Sequence, residues 1–314
     1  MTAQSAAVRP SAAQEAVRRQ ISGRRLDIGA IWFQALLLGS LIVALGILVS
    51  LLADVINRGG AVLVERGSDF VTANVSSNAA LAGVGQGIFG SLIIIVFVLL
   101  LAFPIGIGAA IYLEEYARDN TVTRLLNATV RNLAGVPAIV YGLLGLAVFV
   151  VALEGLTGGR SVIAGGVTIA VLVMPIVVIT TAEALRAVPA SIREAGFGVG
   201  ATKWQVIRHH VLPYAAPGIL TGSILTLSRA FGETAPLILA GAVVGGFVTR
   251  PGQGLVDTLQ GPYTALPTII FNWARQPQEE FRHLTAAAII ILLAIILLLN
   301  AFAIILRNRF ERRW

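Results

Sequence analysis

Long runs without charge constrain this chain more than any other feature. A helix needs about 20 apolar residues to cross a bilayer. Five stretches, 28–53, 88–113, 132–153, 161–182 and 284–306, contain no Asp, Glu, Lys or Arg and reach or approach that length. A sixth, 211–240, is interrupted by Arg229 and Glu233. No segment alternates apolar and polar residues over about ten positions, which disfavours a membrane β-barrel. The expected fold is therefore an all-α integral membrane protein with six transmembrane helices. Only 12% of the 314 residues are charged, against about a quarter in a soluble domain.

The formal charge of +7 would suggest nucleic acid in a soluble protein. Here the charges sit at the edges of apolar runs, so they report orientation instead, and no nucleic acid is expected. With the N-terminus inside, the cytoplasmic segments 1–27, 114–131, 183–210 and 307–314 hold 16 of the 23 Lys and Arg residues. The outer loops hold 6, and Arg229 lies within a helix. Both termini are therefore expected in the cytoplasm. Residues 1–27 read as a tail, without order over 1–9 and with a short amphipathic helix on the membrane surface over 11–25. The apolar run that follows is too long for a signal-peptide core. Residues 28–306 form the membrane domain, and 307–314 form a basic tail.

With no cysteine in the chain, disulfides and thiolate chemistry are excluded. The three histidines, His209, His210 and His283, have no partner at metal-ligand spacing, so no metal site is expected. The loop near 54–84 reads as polar, and the loop near 241–283 is rich in glycine, proline and aromatics, among them Gly245, Gly246, Pro251 and Gly252. Residues 264–273 within it read as a short interfacial segment. Gly135, Gly142, Gly145, Gly165, Gly166, Gly222 and Gly232 are expected to let helices approach closely, and Pro104, Pro137, Pro175 and Pro236 to kink them.

The segment 183–213 is punctuated more finely than an ordinary linker. Pro189 ends one helix. Ser191, with Glu194 three residues on, has capping-box spacing for a short helix. Gly200 is placed to end that helix with a positive φ. Thr202 is placed to cap the following helix, and Pro213 and Pro217 mark the approach to the fifth membrane helix. The segment resembles the EAA loop of ABC importer permeases, in which Glu-Ala-Ala is followed at fixed spacing by Gly and Leu-Pro. Glu194, Ala195, Gly200, Leu212 and Pro213 match that pattern, while Gly196 replaces the third-position alanine and His210 replaces an isoleucine.

Three further stretches resemble the phosphate branch of that family. They are Pro104 to Tyr116, Asn132 to Leu146, and Ser228-Arg229-Ala-Phe-Gly232-Glu233-Thr234-Ala-Pro236. The Ala-Pro ending and the Leu266-Pro-Thr-Ile-Ile-x-Asn272-Trp273 run are similar to PstA-type subunits rather than to their PstC sisters. The resemblance, covering about residues 30–314, implies a type I ABC importer permease-like bundle with a cytoplasmic coupling helix. It implies a PstC-like permease partner, two PstB-like ATPase subunits that bind ATP and Mg, and a periplasmic or lipid-anchored phosphate-binding protein, PstS. It places Arg193, Glu194, Ala195, Gly200, Ala201, Thr202 and Trp204 at the ATPase contact. It places Ser228, Arg229, Glu233 and Thr234 on the substrate pathway, in a bacterial cytoplasmic membrane.

The charged pair has its own physical reading. An Arg at a helix centre costs on the order of 3 kcal/mol on insertion scales. Glu233, one helical turn on, would neutralise it. Alternatively, the guanidinium offers phosphate oxygens several fixed donors, with Glu233 holding it or accepting a proton from monohydrogen phosphate. No Gly-x-x-x-x-Gly-Lys-Ser/Thr run occurs, since Gly198 to Lys203 lacks the glycine before lysine. The chain itself is therefore expected to bind no ATP and to catalyse no bond chemistry. The alternatives are a permease for another oxyanion, such as sulfate or molybdate, a membrane-embedded enzyme, and a scaffold. An enzyme would need clustered acids or histidines at one membrane face. Glu114, Glu115 and Asp119 cluster, and they read as a solvated helix end.

Overall fold

A computed structural model describes residues 28–245 and 254–310. The tail 1–27 with its expected surface helix, the Gly246, Pro251 and Gly252 part of the outer loop, and residues 311–314 lie outside the described residues. The chain divides into two compact units at Asp54/Val55.

Every described element is a helix or a turn. The main helices are α1 (Ile28–Thr72), α2 (Gly85–Tyr116), α3 (Thr121–Ala134), α4 (Ala138–Ala152), α5 (Val162–Arg186), α6 (Ala190–Gly198), α7 (Lys203–Gly232), α8 (Ala235–Leu239), α9 (Leu266–Trp273) and α10 (Glu279–Phe310), with single helical turns at Glu154–Thr157 and Leu255–Leu259. Five of them, α1, α2, α5, α7 and α10, are long and apolar enough to cross a membrane. The pair α3/α4 makes a sixth span if taken together across its 103° bend. The protein is thus a multi-pass membrane protein.

Within the first unit, the described residues 28–54 are a single apolar helix whose side chains are almost all exposed, Trp32 at 74% and Leu36 at 68%. Such a surface suits lipid.

The second unit is organised around α5, most of whose residues are buried. Its neighbours approach through small residues. A Cβ on Gly166 of α5 would meet the Phe97 ring of α2 at 2.5 Å, and one on Gly222 of α7 would meet Thr180 of α5 at 2.5 Å. In lipid such close contact stands in for the hydrophobic drive that water would supply. Gly142, Gly145 and Gly165 also sit at close approaches. Gly135 meets only its own turn and Gly232 faces open space, so these two mark helix ends instead.

Three expectations are corrected. First, residues 54–72 are helical rather than a polar loop, because α1 continues past its apolar run to Thr72, with one non-helical residue at Gly67. The extension overrides the poor helix propensity of Gly59-Gly60 because Gly59 lies against the backbone of Ala286 and Ala287 in α10. Second, the third apolar run does not begin a helix at Asn132. Pro137 has no amide hydrogen and takes ψ 137°, so the chain turns there. Residues up to Ala134 belong to the amphipathic α3, and only α4 is the apolar part. Third, the helix expected over 211–240 instead starts at Lys203 and stops at Gly232. Pro175 lies inside an unbroken α5, Pro104 lies inside α2 directly after a π-turn over Val98–Ala102, and Pro236 occupies the first turn of α8, where a missing amide hydrogen costs least.

The segment 264–273 is helical at α9 and packs largely within the second unit. Leu266 and Ile269 are fully buried, and Trp273 packs between Phe70 and Phe281. The Leu266 amide donates to Ser91 Oγ of α2 at 2.9 Å.

Candidate functional site

Two charged regions of the second unit carry functional geometry. The first is the link from α5 to α7. Pro189, with φ −58° and ψ 141°, takes the N-cap position of α6. The helix therefore starts two residues earlier than a Ser191 cap would start it. No side chain caps it, and Ser191 lies within its first turn, so the expected Ser191–Glu194 capping box is not formed. The other end behaves as the sequence implies. Gly200 has φ +80°. Its amide donates to the Phe197 carbonyl at 2.9 Å and the Ala201 amide to the Gly196 carbonyl at 3.2 Å, the paired bonds of a Schellman ending. Thr202 then caps α7 in a capping box with Gln205.

After its first turn, Lys203–Val206, α7 widens into a π-turn over Ile207–Val211, and the Leu212 amide reaches back to the Ile207 carbonyl. That wider turn directly precedes Pro213 and relieves the clash a proline imposes on the preceding helical turn. Pro217 also lies inside α7. Both prolines are thus part of the helix rather than marking an approach to it.

Beneath the link lies a small apolar core of Ala110, Val178, Leu185, Val188, Val206 and Val211. Gly196 presses on Val206, where a Cβ would approach Cγ2 to 2.8 Å. Three polar contacts then join the link to the end of α2. Arg186 forms a two-pronged ion pair with Glu114, its Nε 2.8 Å from Oε2. Arg193 donates to Glu115 Oε1 through Nη2 at 2.7 Å and Nε at 3.2 Å. Lys203 Nζ lies 5.0 Å from the centre of the Tyr116 ring. Arg193 also donates to the carbonyls of Val188 at 2.8 Å and Leu185 at 2.9 Å.

Glu114 and Glu115 are therefore not a solvated helix end. Their side chains are 15% and 8% exposed, whereas Asp119 is 84% exposed and pairs with Arg124.

These contacts divide the residues the sequence singles out. Arg193 turns inward, Gly200 and Thr202 shape the chain, and Ala201 is half-buried. Glu194, Ala195 and Trp204 face outward, joined by Phe197 and Val199, which sequence reasoning missed. Beside them, between α6 and the start of α7, opens an apolar cavity of about 540 Å³ bordered by Ile192, Val199, His209, His210 and Tyr214. Glu114, Glu115, Tyr116, Arg186 and Lys203 were also missed. Their signal was two carboxylates at one helix end facing a segment rich in arginine.

The second region is the break between α7 and α8. Glu233 is extended, with φ −75° and ψ 124°, and α8 begins at Ala235 with Pro236 in its first turn. Arg229 thus sits on the last turn of α7 rather than midway along a helix. A cation suits the free carbonyls there. Its Nε donates to Glu233 Oε1 at 3.2 Å, with Arg229 47% and Glu233 18% exposed. Ser228 Oγ lies 2.9 Å from the Ile224 carbonyl and 2.8 Å from Asn300 Oδ1 of α10. It thereby ties two spans together, and Asn300, a lone amide in an apolar helix, is the clue sequence reasoning overlooked. Thr234 is half-buried and its side chain does not cap α8. Among the described residues no group of three or more His, Asp or Glu is placed to hold a metal.

Comparison with known proteins agrees with this architecture. Residues 102–314 match the family of binding-protein-dependent transport system inner membrane components. The phosphate transport system permease protein PstA of Yersinia pestis is 36% identical over 229 residues, covering 72% of each chain. The phosphate transport system permease protein PstA 1 of Mycobacterium tuberculosis is 32% identical over 275 residues, covering 87% of each. A crystal structure of a bacterial alginate ABC transporter, bound to its pentasaccharide-loaded periplasmic protein, superposes with a TM-score of 0.64 at 17% identity. It covers 91% of this chain and 97% of that one. With its bundle of spans, its short helix between α5 and α7 and these relatives, the chain belongs to the family of binding-protein-dependent transport system inner membrane components, and within it to the PstA permeases.

Proposed function

We propose that this chain is the permease subunit of an ATP-driven inorganic phosphate importer and forms half of its translocation pathway. The observation that carries this reading is that PstA phosphate permeases match it across 72–87% of its length. The matched region includes the Arg229–Glu233 pair at the break between α7 and α8. In the complex, two PstB-like ATPase subunits bind ATP and Mg and seat the outward face of α6, Glu194, Ala195 and Phe197, together with Trp204 at the start of α7. A PstC-like permease supplies the other half of the pathway, and a PstS-type binding protein delivers phosphate on the outer face. Both termini lie in the cytoplasm, as the distribution of Lys and Arg supports.

Arg229 serves phosphate in this mechanism. An i,i+4 ion pair that water reaches contributes about 0.3–0.5 kcal/mol. The pair alone is therefore a weak reason to keep the charge. An oxyanion crossing the site supplies the missing partner, and the planar fork of Arg229 suits its oxygens. Glu233 orients the guanidinium and helps release the anion. Alternating access then follows from ATP-driven movement of α6, which is joined directly to α5 and α7.

The test is uptake of labelled phosphate by vesicles carrying the assembled complex, challenged with sulfate and molybdate. The expected result is ATP-dependent uptake that a tenfold excess of either competitor leaves largely intact. Equal competition by sulfate or molybdate would move the assignment to another oxyanion.

A further inference from the structure

The link between α5 and α7 is tied to a helix that is not its neighbour in sequence. Arg193 bonds to Glu115, 78 residues away, and Arg186 to Glu114, 72 residues away. Both carboxylates lie in the π-turn Tyr112–Tyr116 that ends α2, and Lys203 rests over Tyr116 of the same turn. The end of α2 therefore touches the end of α5, the short helix α6 and the start of α7.

Arg193 holds this junction in a way no other side chain could. A guanidinium offers five donors in a rigid plane. Arg193 directs two of its nitrogens at Glu115 and also bonds the Leu185 and Val188 carbonyls. Leu185 lies in the last turn of α5 and Val188 just beyond its end, where carbonyls lack the regular i+4 amide partner of a helix interior. One side chain of α6 thereby grips the ends of two spans at once. The grip is largely shielded from water, with Arg193 25% and Glu115 8% exposed, so it is less screened than a surface pair.

We propose that Arg193 and Glu115 are positioning residues that deliver the movement of α6 to α2, making α2 a third receiver of the ATPase stroke beside α5 and α7. This rests on the reading of α6 as the ATPase seat. α2 packs along α5 through Phe97 against Gly166 and through Gly106 against Val177. A displacement of its end is therefore transmitted along the central helix instead of being lost in a loop.

The experiment uses the full complex in vesicles and reads phosphate moved per ATP hydrolysed, together with the amount of ATPase that co-purifies. Arg193→Lys keeps the charge but not the fork. Glu115→Gln leaves the bonds from Arg193 to Leu185 and Val188 in place, so it stays informative if the first variant folds poorly. Both are expected to retain the ATPase and to hydrolyse ATP, while phosphate moved per ATP falls about tenfold, the scale of losing a hydrogen bond between charged groups. Glu115→Asp should recover part of the loss. A wild-type ratio in both variants overturns the proposal. Loss of the ATPase from both also overturns it, since the contact would then be only a structural prop. The underlying docking reading fails separately, and visibly, if Phe197→Ala with Trp204→Ala leaves ATPase association unchanged.

Discussion

The two charged regions of this permease each pair an arginine with a glutamate, and they use the pair in opposite ways. Arg193 spends its donors on one carboxylate and two backbone carbonyls, and three quarters of its side chain is covered. Among the described residues Arg229 bonds through Nε to Glu233, and nearly half of its side chain is exposed. A guanidinium saturated by its own chain holds structure. One bound at a single nitrogen beside a helix break is placed to meet something that comes and goes. On the functions proposed above, the same residue type serves as a rigid transmission point in one region and a ligand-facing group in the other.

The largest effect expected on the rigid side comes from Gly200→Val. Nothing lies within 4 Å of where a Cβ would point, so the whole cost is conformational. A left-handed residue other than glycine costs about 1–2 kcal/mol, and a β-branched one is least tolerant. The chain escapes by unwinding the Schellman ending, which misplaces α6. Phosphate uptake and transport-stimulated ATP hydrolysis should fall to near background while membrane insertion persists. Gly200→Asn should recover most of both activities, because asparagine accepts a positive φ. Uptake by the Val variant at the wild-type rate would break the distinction between a rigid and an adaptable region.

The smallest effect is expected at a third pair, Asp119–Arg124, which sharpens the comparison from outside. Its side chains are 84% and 74% exposed, and an exposed pair contributes about 0–1 kcal/mol. Asp119→Ala should therefore leave uptake and complex yield within about twofold of wild type. A large loss there would mean that charge number, rather than burial and donor count, decides which pairs matter.

Much of this was legible in the sequence. The uninterrupted apolar runs gave α2, α5 and α10, because twenty residues without charge have few other places to go. Gly200 and Thr202 announced the turn and cap they form, since both act through local backbone geometry. What was not legible depends on distant contacts. Glu114 and Glu115 looked solvated because their partners lie 72 and 78 residues further on. The extension of α1 to Thr72 rests on Gly59 meeting α10. Ser191 lost the cap position to Pro189, whose fixed φ started the helix first. The break after Gly232 was readable in principle, since Pro236 favours the first turn of a new helix.

The central claim is that Arg229 serves phosphate rather than merely balancing Glu233. Replacing both together, Arg229→Gln with Glu233→Gln, leaves no unpaired charge behind, so the complex should assemble in normal yield. ATP-driven uptake of labelled phosphate by this variant is the direct measurement. The account predicts uptake at least about tenfold below wild type, the scale of losing charge-assisted bonds to the anion, with Arg229→Lys in between because it keeps charge without the planar fork. Phosphate carried by the double variant at the wild-type rate would contradict the account.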